Sequence, residues 1–314
     1  MGTEAVKLTA NGPKVSVVMP TYGPTLHLSA AIASVRRQTW RNFELLIVDD
    51  NNPDTSFRRE TEHIVTRHQE QGQGQGQDII YIQHEKNRNG AAARNTGISR
   101  ATGDYISFLD SDDIYDPRRL EVAVGLMGSA EDRIGGVYSG VEFRRGGKVY
   151  ASHRDVEPGN FLLETLACKF LIGTGSNLFV RRSVVNALGG FDESFLRHQD
   201  YEFLVRLFSQ FDLAASREIL VIKNNENLNL PGFSKTLAIK EQYLEKFRSL
   251  IESLSPADRD YVMRSNYTWL GEHALREGLR EESRAMYGVA GRYGKARARA
   301  HMRRAAFWVQ SWLK

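Results

Sequence analysis

Four short apolar runs, at residues 15–19, 43–48, 79–82 and 105–109, alternate with stretches of helical spacing. This alternation limits the possible folds more than any other feature of the chain. The runs are rich in β-branched and aromatic side chains and too short for core helices, so each reads as a buried strand. Between them, residues 25–37 place Leu28, Ile32 and Val35 on one helical face, with Thr25 as a candidate cap. Residues 54–69 read as a polar helix, and residues 89–99 as a helix opening at Gly90. Strand and helix in alternation predict a parallel sheet with helices on its faces. Pro20 is expected to break the first strand.

The texture then changes. A helix is predicted over 117–127, a β-rich hairpin over 134–150 around Gly146-Gly147, a helix over 161–170 and a short strand over 178–180. A short helix over 182–188 ends at Gly189-Gly190. Residues 200–208 form a strongly amphipathic helix with Phe203, Leu204, Leu207 and Phe208 on its apolar face. Beyond Pro231-Gly232 the strands stop, and residues 235–254, 258–278 and 281 onward all read as helices. The expected organisation is therefore a loose arm (1–13), an α/β domain (14–232) and a helical C-terminal region (233–314). Residues 71–77 alternate Gln and Gly and have nothing to pack. They match neither Gly-x-Gly-x-x-Gly nor a Walker loop and read as a surface loop.

The run at 105–109 leads directly into Asp110-Ser111-Asp112-Asp113, three carboxylates within four positions. Burying them without a partner would be costly, and mutual repulsion would push protons onto them. A divalent cation resolves that conflict, because Mg²⁺ and Mn²⁺ prefer hard carboxylate oxygens. Open α/β sheets bind ligands at the carboxyl ends of their strands, and these aspartates follow one. An acidic turn capping the next helix is the plainer reading. Asp116-Pro117 already explains that helix start, so the earlier aspartates point to a metal–diphosphate site.

The balance of 41% hydrophobic and 25% charged residues in 314 is that of a globular chain with a large core. No apolar run is long enough to cross a bilayer, and no leader is evident. The single cysteine, Cys168, rules out an internal disulfide and fits a reducing, cytoplasmic compartment, where it reads as a small buried side chain. The formal charge of +4 is unevenly placed: no acidic residue follows Glu282, while basic residues at 292, 295, 299 and 303 form a stripe ahead of Phe307, Trp308, Val309, Trp312 and Leu313. Such a tail suits peripheral contact with an anionic membrane face, or packing of its aromatics on the protein. Nucleic acid is not an expected partner, since no other basic face is evident.

Taken together, these clusters resemble the family-2 glycosyltransferases. The resemblance covers about residues 14–230 and rests on motifs in the family's order. They are Val15-Ser16-Val17-Val18-Met19-Pro20-Thr21-Tyr22; Gln38-Thr39-Trp40 leading to Asp49-Asp50; and residues 87–95 with Gly90 and Ala93-Arg94-Asn95. Then come Asp110-Ser111-Asp112, Gly189-Gly190-Phe191-Asp192-Glu193 and Gln199-Asp200-Tyr201-Glu202-Phe203. The resemblance implies a GT-A fold: a mostly parallel sheet flanked by helices, here with a C-terminal helical extension. It implies inverting transfer of a sugar from a nucleoside-diphosphate sugar, UDP foremost, to a saccharide or lipid-linked saccharide in cell-envelope polysaccharide synthesis.

The resemblance also implies roles. Pro20, Thr21 and Tyr22 line the nucleotide, with Tyr22 against the base, and Asp50 accepts from a ring N–H. Arg94 contacts the nucleotide; otherwise it is a surface arginine pairing with Glu85 or Asp104. Asp112 coordinates Mn²⁺ or Mg²⁺, Asp110 touches the ribose or the metal's water shell, and Asp113 is structural. Asp200 matches the general base. Gln199 stands where the family usually has an acid, and Glu202 is a competing base or a supporting residue. Arg206 reads as an i,i+4 partner of Glu202, and His198, which could support the cluster or bind a metal, reads more simply as neither.

Two rival readings remain. A nucleotidyltransferase would need a basic, glycine-rich loop after the first strand, and Pro20-Thr21-Tyr22-Gly23-Pro24 has no cation. A non-catalytic sugar-nucleotide or polysaccharide binder would be expected to lack Asp112 or Asp200, and both are present.

Overall fold

The computed structural model describes residues 12–72, 78–173, 175–225 and 231–294. In chain order the first elements are β1 (Val15–Thr21), α1 (Leu28–Arg36), β2 (Phe43–Asp49), α2 (Ser56–Gly72), β3 (Asp78–Gln83), α3 (Gly90–Arg100) and β4 (Tyr105–Phe108). There follow β5 (Ile114–Tyr115), α4 (Arg119–Gly128), β6 (Ile134–Arg145), β7 (Lys148–His153) and α5 (Leu162–Leu166). Then come β8 (Phe179–Arg181), α6 (Arg182–Ala187), α7 (Gln199–Phe208) and β9 (Asp212–Asn224). The chain continues with α8 (Phe233–Lys246), α9 (Arg248–Ser253), α10 (Pro256–Arg276) and α11 (Arg280–Arg292).

The strands make one sheet in the order β3-β2-β1-β4-β8-β6-β9-β5, with β7 paired to β6. The expected parallel half is β3-β2-β1-β4. Beyond it β8 runs antiparallel between β4 and β6, and β9 lies parallel to β6. Every residue of β2 is buried, as befits a central strand covered on both faces. Leu28, Ile32 and Val35 of α1 join Val15, Val17 and Met19 in one core. On the opposite face α3 approaches so closely that a Cβ at Gly97 would lie 2.4 Å from a Val18 methyl. Each Val, Leu or Ile buried this way contributes about 1.5–3 kcal/mol.

Because β2 lies on one side of β1 and β4 on the other, the strand order reverses at β1, the place where open α/β sheets bind ligands at their carboxyl ends. Pro20 does not break β1, contrary to expectation. The Val15 amide donates to Asn42 in the β2 direction, so with a period of two the missing Pro20 N–H would face β4. The β4 pairing ends at Val18, so no ladder bond is lost there.

Other differences have equally local causes. Thr25 does not cap α1, which starts at Leu28 behind His27. The helix expected over 161–170 is only Leu162–Leu166, because Cys168 takes φ +50 and turns the chain. The helix expected over 235–254 is two, with Phe247 out of helical geometry between them. Strand β9 carries little strand signal in its first half, since residues 212–218 are mostly small or charged. The predicted hairpin is present as β6 and β7, turned by Gly146 and Gly147 at φ +54 and +74.

Two compact units result. The sheet, α1–α4 and α6 belong to the first, and α5, α7 and α8–α11 to the second. The second has its own core, built around Leu166, Phe195, Val205, Tyr243, Phe247 and Val262. Ser255 caps α10 by accepting from the Asp258 amide at 3.2 Å, ahead of Pro256 in its first turn. Among the described residues no helix is long and apolar enough to cross a membrane. The basic, aromatic tail at 295–314, residues 1–11 and residues 73–77 lie outside the described residues.

Candidate active site

The carboxyl ends of β1, β2 and β4 carry several of the residues that the motifs singled out. Pro20 and the buried Thr21 end β1, and the Thr21 carbonyl accepts from the Asp50 amide at 2.9 Å. Tyr22 follows with 64% of its surface exposed, an aromatic plane presented to solvent. Asn51 holds this loop by accepting from the Gly23 amide at 2.8 Å.

The paired aspartates after β2 have separate surroundings. Asp49 is fully buried against Arg58 at 3.2 Å, accepts from the Tyr81 hydroxyl at 2.5 Å and takes both nitrogens of Asn51. Asp50 is also buried, and its oxygens face four donors. His84 Nδ1 and the Arg88 amide reach Oδ1 at 2.7 and 2.8 Å, while Asn87 Nδ2 and the Asn89 amide both reach Oδ2 at 2.9 Å. Four donors fill a carboxylate's acceptor sites. Asp50 thereby holds the turn 87–89 in place. Thr96 at 2.8 Å from His84 Nε2 completes a network that fits the Nδ1–H tautomer.

Asn89 sits at φ +105, an uncommon backbone for a residue with a side chain. Its Oδ1 caps α3 by accepting from the Ala91 and Ala92 amides at 2.9 and 3.1 Å, and its Nδ2 donates to the Glu193 carbonyl at 2.9 Å. Asn95, the sixth residue of α3, reaches the same segment, donating to the Phe191 carbonyl and accepting from its amide, both at 2.8 Å. Gly190 at φ +73 makes this approach possible, because a Cβ there would lie 2.5 Å from Asn95 Oδ1.

Arg94 does not pair with Glu85 or Asp104. Its guanidinium lies 2.6 Å from Asp110 Oδ1 and above the Phe191 ring at 5.5 Å. One carboxylate oxygen from each of Asp110, Asp112 and Asp113 lies within 4.8 Å of the others. Buried Ser176 joins two of them, accepting from the Asp110 amide at 2.9 Å and donating to Asp113 Oδ2 at 2.6 Å. From β9, the Asn224 side chain donates to the Asp112 carbonyl at 2.7 Å, its amide lies 3.3 Å from Asp113 Oδ1, and Lys223 Nζ is 3.8 Å from Asp113 Oδ2.

Asp113 is fully buried, and burial pushes its carboxyl up to about 7 against the pull of Lys223, with Asp112 and Asp110 adding repulsion. Asp112 reaches solvent, yet the protein around its carboxyl, and next the Asp110 charge, also raise it. Raised carboxyls signal a site short of positive charge even with Arg94 and Lys223 at hand. An all-oxygen donor set of this kind fits Mg²⁺ or Mn²⁺.

In the second unit, α7 begins at Gln199 behind His198, whose backbone is left-handed at φ +62. Protein packed around the His198 ring, then Lys240 and Arg197, hold its pKa well below the ordinary value, so it is neutral. Gln199 donates from Nε2 to the Phe195 carbonyl at 2.7 Å, a bond that a glutamate could not form. Asp200, half-buried in the first turn of α7, accepts from the Tyr201 amide at 3.0 Å, where the helix dipole favours its charge. Glu202 is fully buried and faces Arg206 at 2.6 and 2.7 Å and Lys246 at 2.9 Å. With its charge answered twice, Glu202 is a structural ion-pair centre, and Arg206 is its i,i+4 partner.

No motif in the sequence singles out His84, Ser176, Lys223 or Asn224. Only the run Ile219-Leu220-Val221-Ile222 signalled a strand that would bring the last two to the aspartates.

Residues 16–189 match the family model described as "Glycosyl transferase family 2", and residues 139–269 match "Glycosyltransferase like family 2". "Uncharacterized glycosyltransferase MJ1057" of Methanocaldococcus jannaschii is 31% identical over 209 residues, 64% of this chain and 68% of that protein. The Escherichia coli protein named "UDP-Glc:alpha-D-GlcNAc-diphosphoundecaprenol beta-1,3-glucosyltransferase WfgD" is 36% identical over 113 residues, 36% of this chain and 40% of that one. Among solved structures, the mannosyltransferase PcManGT from Pyrobaculum calidifontis, in complex with GDP-Man and Mn²⁺, superposes with a TM-score of 0.57 at 17% identity. That superposition covers 95% of this chain and 80% of that one, and it identifies the fold as GT-A.

Proposed function

The chain belongs to the family-2 glycosyltransferases, and from that premise we propose that it moves a sugar, with inversion, from a UDP-sugar to a saccharide or lipid-linked saccharide. The observation that supports this reading is the pairing of Arg94 with Asp110 in a cluster of three aspartates after β4, the neighbour of the β1 strand that Tyr22 follows. The exposed Tyr22 ring offers a stacking face for the base. Asp50 serves the nucleotide through the turn 87–89, which it holds. Arg94, held 2.6 Å from Asp110, supplies positive charge to the diphosphate side.

Asp112, with Asp110 beside it, would hold Mn²⁺ or Mg²⁺, while Asp113 is committed to Ser176 and β9. A divalent cation bound there supplies charge neutralisation for a departing nucleoside diphosphate. Asp200 takes the acceptor proton as general base, an assignment that rests on the family motif, with the rival Glu202 already engaged by Arg206 and Lys246. The lipid-linked acceptor is argued from the name of the WfgD relative.

The testing experiment is a panel of nucleotide sugars with undecaprenyl-diphosphate saccharides and free oligosaccharides as acceptors, with and without excess chelator. Release of UDP that depends on both acceptor and divalent cation is expected. Tight binding of a nucleotide sugar with no turnover on any acceptor would favour a binding module. Formation of a nucleotide sugar from a triphosphate would favour a nucleotidyltransferase.

A further inference from the structure

Two buried serines of the first unit carry the same pair of bonds at opposite ends of the strands. Ser16, near the start of β1, accepts from the Gly103 amide at 2.8 Å and donates to Glu44 Oε1 at 2.6 Å. Ser176, beside the aspartates that follow β4, accepts from the Asp110 amide at 2.9 Å and donates to Asp113 Oδ2 at 2.6 Å. Both are fully buried, and each joins a backbone N–H to a carboxylate through one hydroxyl. Their carboxylates differ. Glu44 is paired with Lys14 at 2.8 Å. Asp113 has Lys223 no nearer than 3.8 Å and shares its surroundings with Asp110 and Asp112.

Ser176 is itself firmly held. It lies in a 3₁₀ turn over Gly175–Asn177. The Tyr115 hydroxyl stands 2.5 Å from the Phe108 carbonyl, 2.7 Å from the Ser107 hydroxyl and 3.2 Å from the Ser176 carbonyl. The next residue, Asn177, donates from Nδ2 to the carbonyls of Ser139 and Ile172 at 2.7 and 2.9 Å. Its own carbonyl accepts from Nη2 of the fully buried Arg119 at 2.8 Å. The turn is thereby tied to β4, β6 and α4, and the Ser176 hydroxyl is a fixed point between Asp110 and Asp113.

Three carboxylates this close repel one another, and a divalent cation binds weakly where its ligands must first be gathered. A hydroxyl that holds the Asp110 backbone and the Asp113 carboxylate together opposes that spreading before any cation arrives. We propose that Ser176, backed by Tyr115, is a positioning residue that sets the affinity of the aspartate cluster for a divalent cation. This rests on the cation reading of the site given above.

The test is Mn²⁺ binding to the full chain, with and without UDP, followed by electron paramagnetic resonance beside a thermal melt. Ser176→Ala should weaken Mn²⁺ binding about ten-fold. Ser16→Ala loses the matching pair of bonds away from the cluster. It should lower the melting temperature by a similar amount and leave Mn²⁺ affinity unchanged. Tyr115→Phe keeps the ring and removes only the hydroxyl behind Ser176, so it should weaken Mn²⁺ binding in the same direction. Native Mn²⁺ affinity in Ser176→Ala, or in Tyr115→Phe if Ser176→Ala does not fold, would overturn the proposal and leave the cation site standing. An equal loss in Ser16→Ala would also overturn it, since affinity would then follow stability alone. A native chain that binds no Mn²⁺ even with UDP would remove the cation site and the proposal together.

Discussion

The side chain of Asn95 donates to the carbonyl of Phe191 and accepts from its amide, both at 2.8 Å, across 96 positions of sequence. One amide thus supplies both backbone hydrogen bonds of a residue that belongs to no strand. The contact stitches α3 to the segment after Gly190 and sets Phe191 beneath the Arg94 guanidinium. Replacing Asn95 by Ala should cost about 2–3 kcal/mol, because a half-buried donor and acceptor lose their partner together. Gly190→Ala should fail for the matching reason, a left-handed backbone and a 2.5 Å approach to Asn95. Urea unfolding monitored by circular dichroism checks both, as a lower midpoint at unchanged slope.

Asp112→Asn should lower sugar transfer at least about 100-fold, the usual scale for losing one charge-stabilising group at a leaving group. Asp113→Ala should instead lower stability, since it leaves the buried Ser176 hydroxyl and the Asn224 amide without the oxygens that accept from them. Steady-state turnover and a thermal melt, run on both variants, separate the two roles. Turnover by the native chain in excess chelator would remove the cation from the account.

Asp200→Asn should abolish transfer by roughly 10²–10⁴-fold while leaving UDP affinity nearly unchanged, because a base acts on the acceptor. Titration calorimetry with UDP beside single-turnover transfer distinguishes this from a binding defect. Glu202→Gln, by contrast, should destabilise the second unit by about 3 kcal/mol, since it leaves Arg206 and Lys246 facing a neutral group in a buried site.

Tyr22→Ala should weaken UDP binding roughly ten-fold with no change in melting temperature, because an exposed ring contributes a stacking face and nothing to the core. Asp50→Ala should weaken binding and also loosen the turn 87–89, visible as faster hydrogen exchange at Arg88 and Asn89. A binding loss in Asp50→Ala without that loosening would mean that Asp50 contacts the base itself.

Acid sensitivity should centre in part on Glu44. Burial alone would raise its carboxyl, but Lys14, Ser16 and Thr102 together draw it below the ordinary 4.5. A group with a depressed folded pKa lends stability above its unfolded value and loses it as pH falls through the folded one. Glu44→Gln should therefore flatten the stability profile below about pH 4.5 relative to the native chain, as measured by denaturant melts across that range.

Much of the first half was legible because its signals are local. Apolar runs at 15–19, 43–48, 79–82 and 105–109 become β1 to β4, and the carboxylates after the last run do cluster. Asp200 and Glu202 were separable in sequence only as different helix faces; burial beside Arg206 and Lys246 is what distinguishes them. Asp50 could not be understood from its neighbours in sequence, since all four of its side-chain partners come from residues 84–89. Strand β9 escaped for a physical reason: its first half is paired by backbone bonds to β6 and needs no apolar alternation of its own. Pro20 misled because a missing N–H matters only where a neighbouring strand would accept from it.

Asp113 meets the Asn224 amide 111 residues further along the chain. That separation has a kinetic consequence. During synthesis β1 to β4 can pair while the aspartate cluster still lacks β9, so the nascent sheet carries three carboxylates without Lys223 to answer them. Closing so long a loop is slow relative to pairing the early strands. Assembly of the acidic site should therefore be a late event, and an intermediate with an intact β3-β2-β1-β4 half but an open acidic edge should precede it.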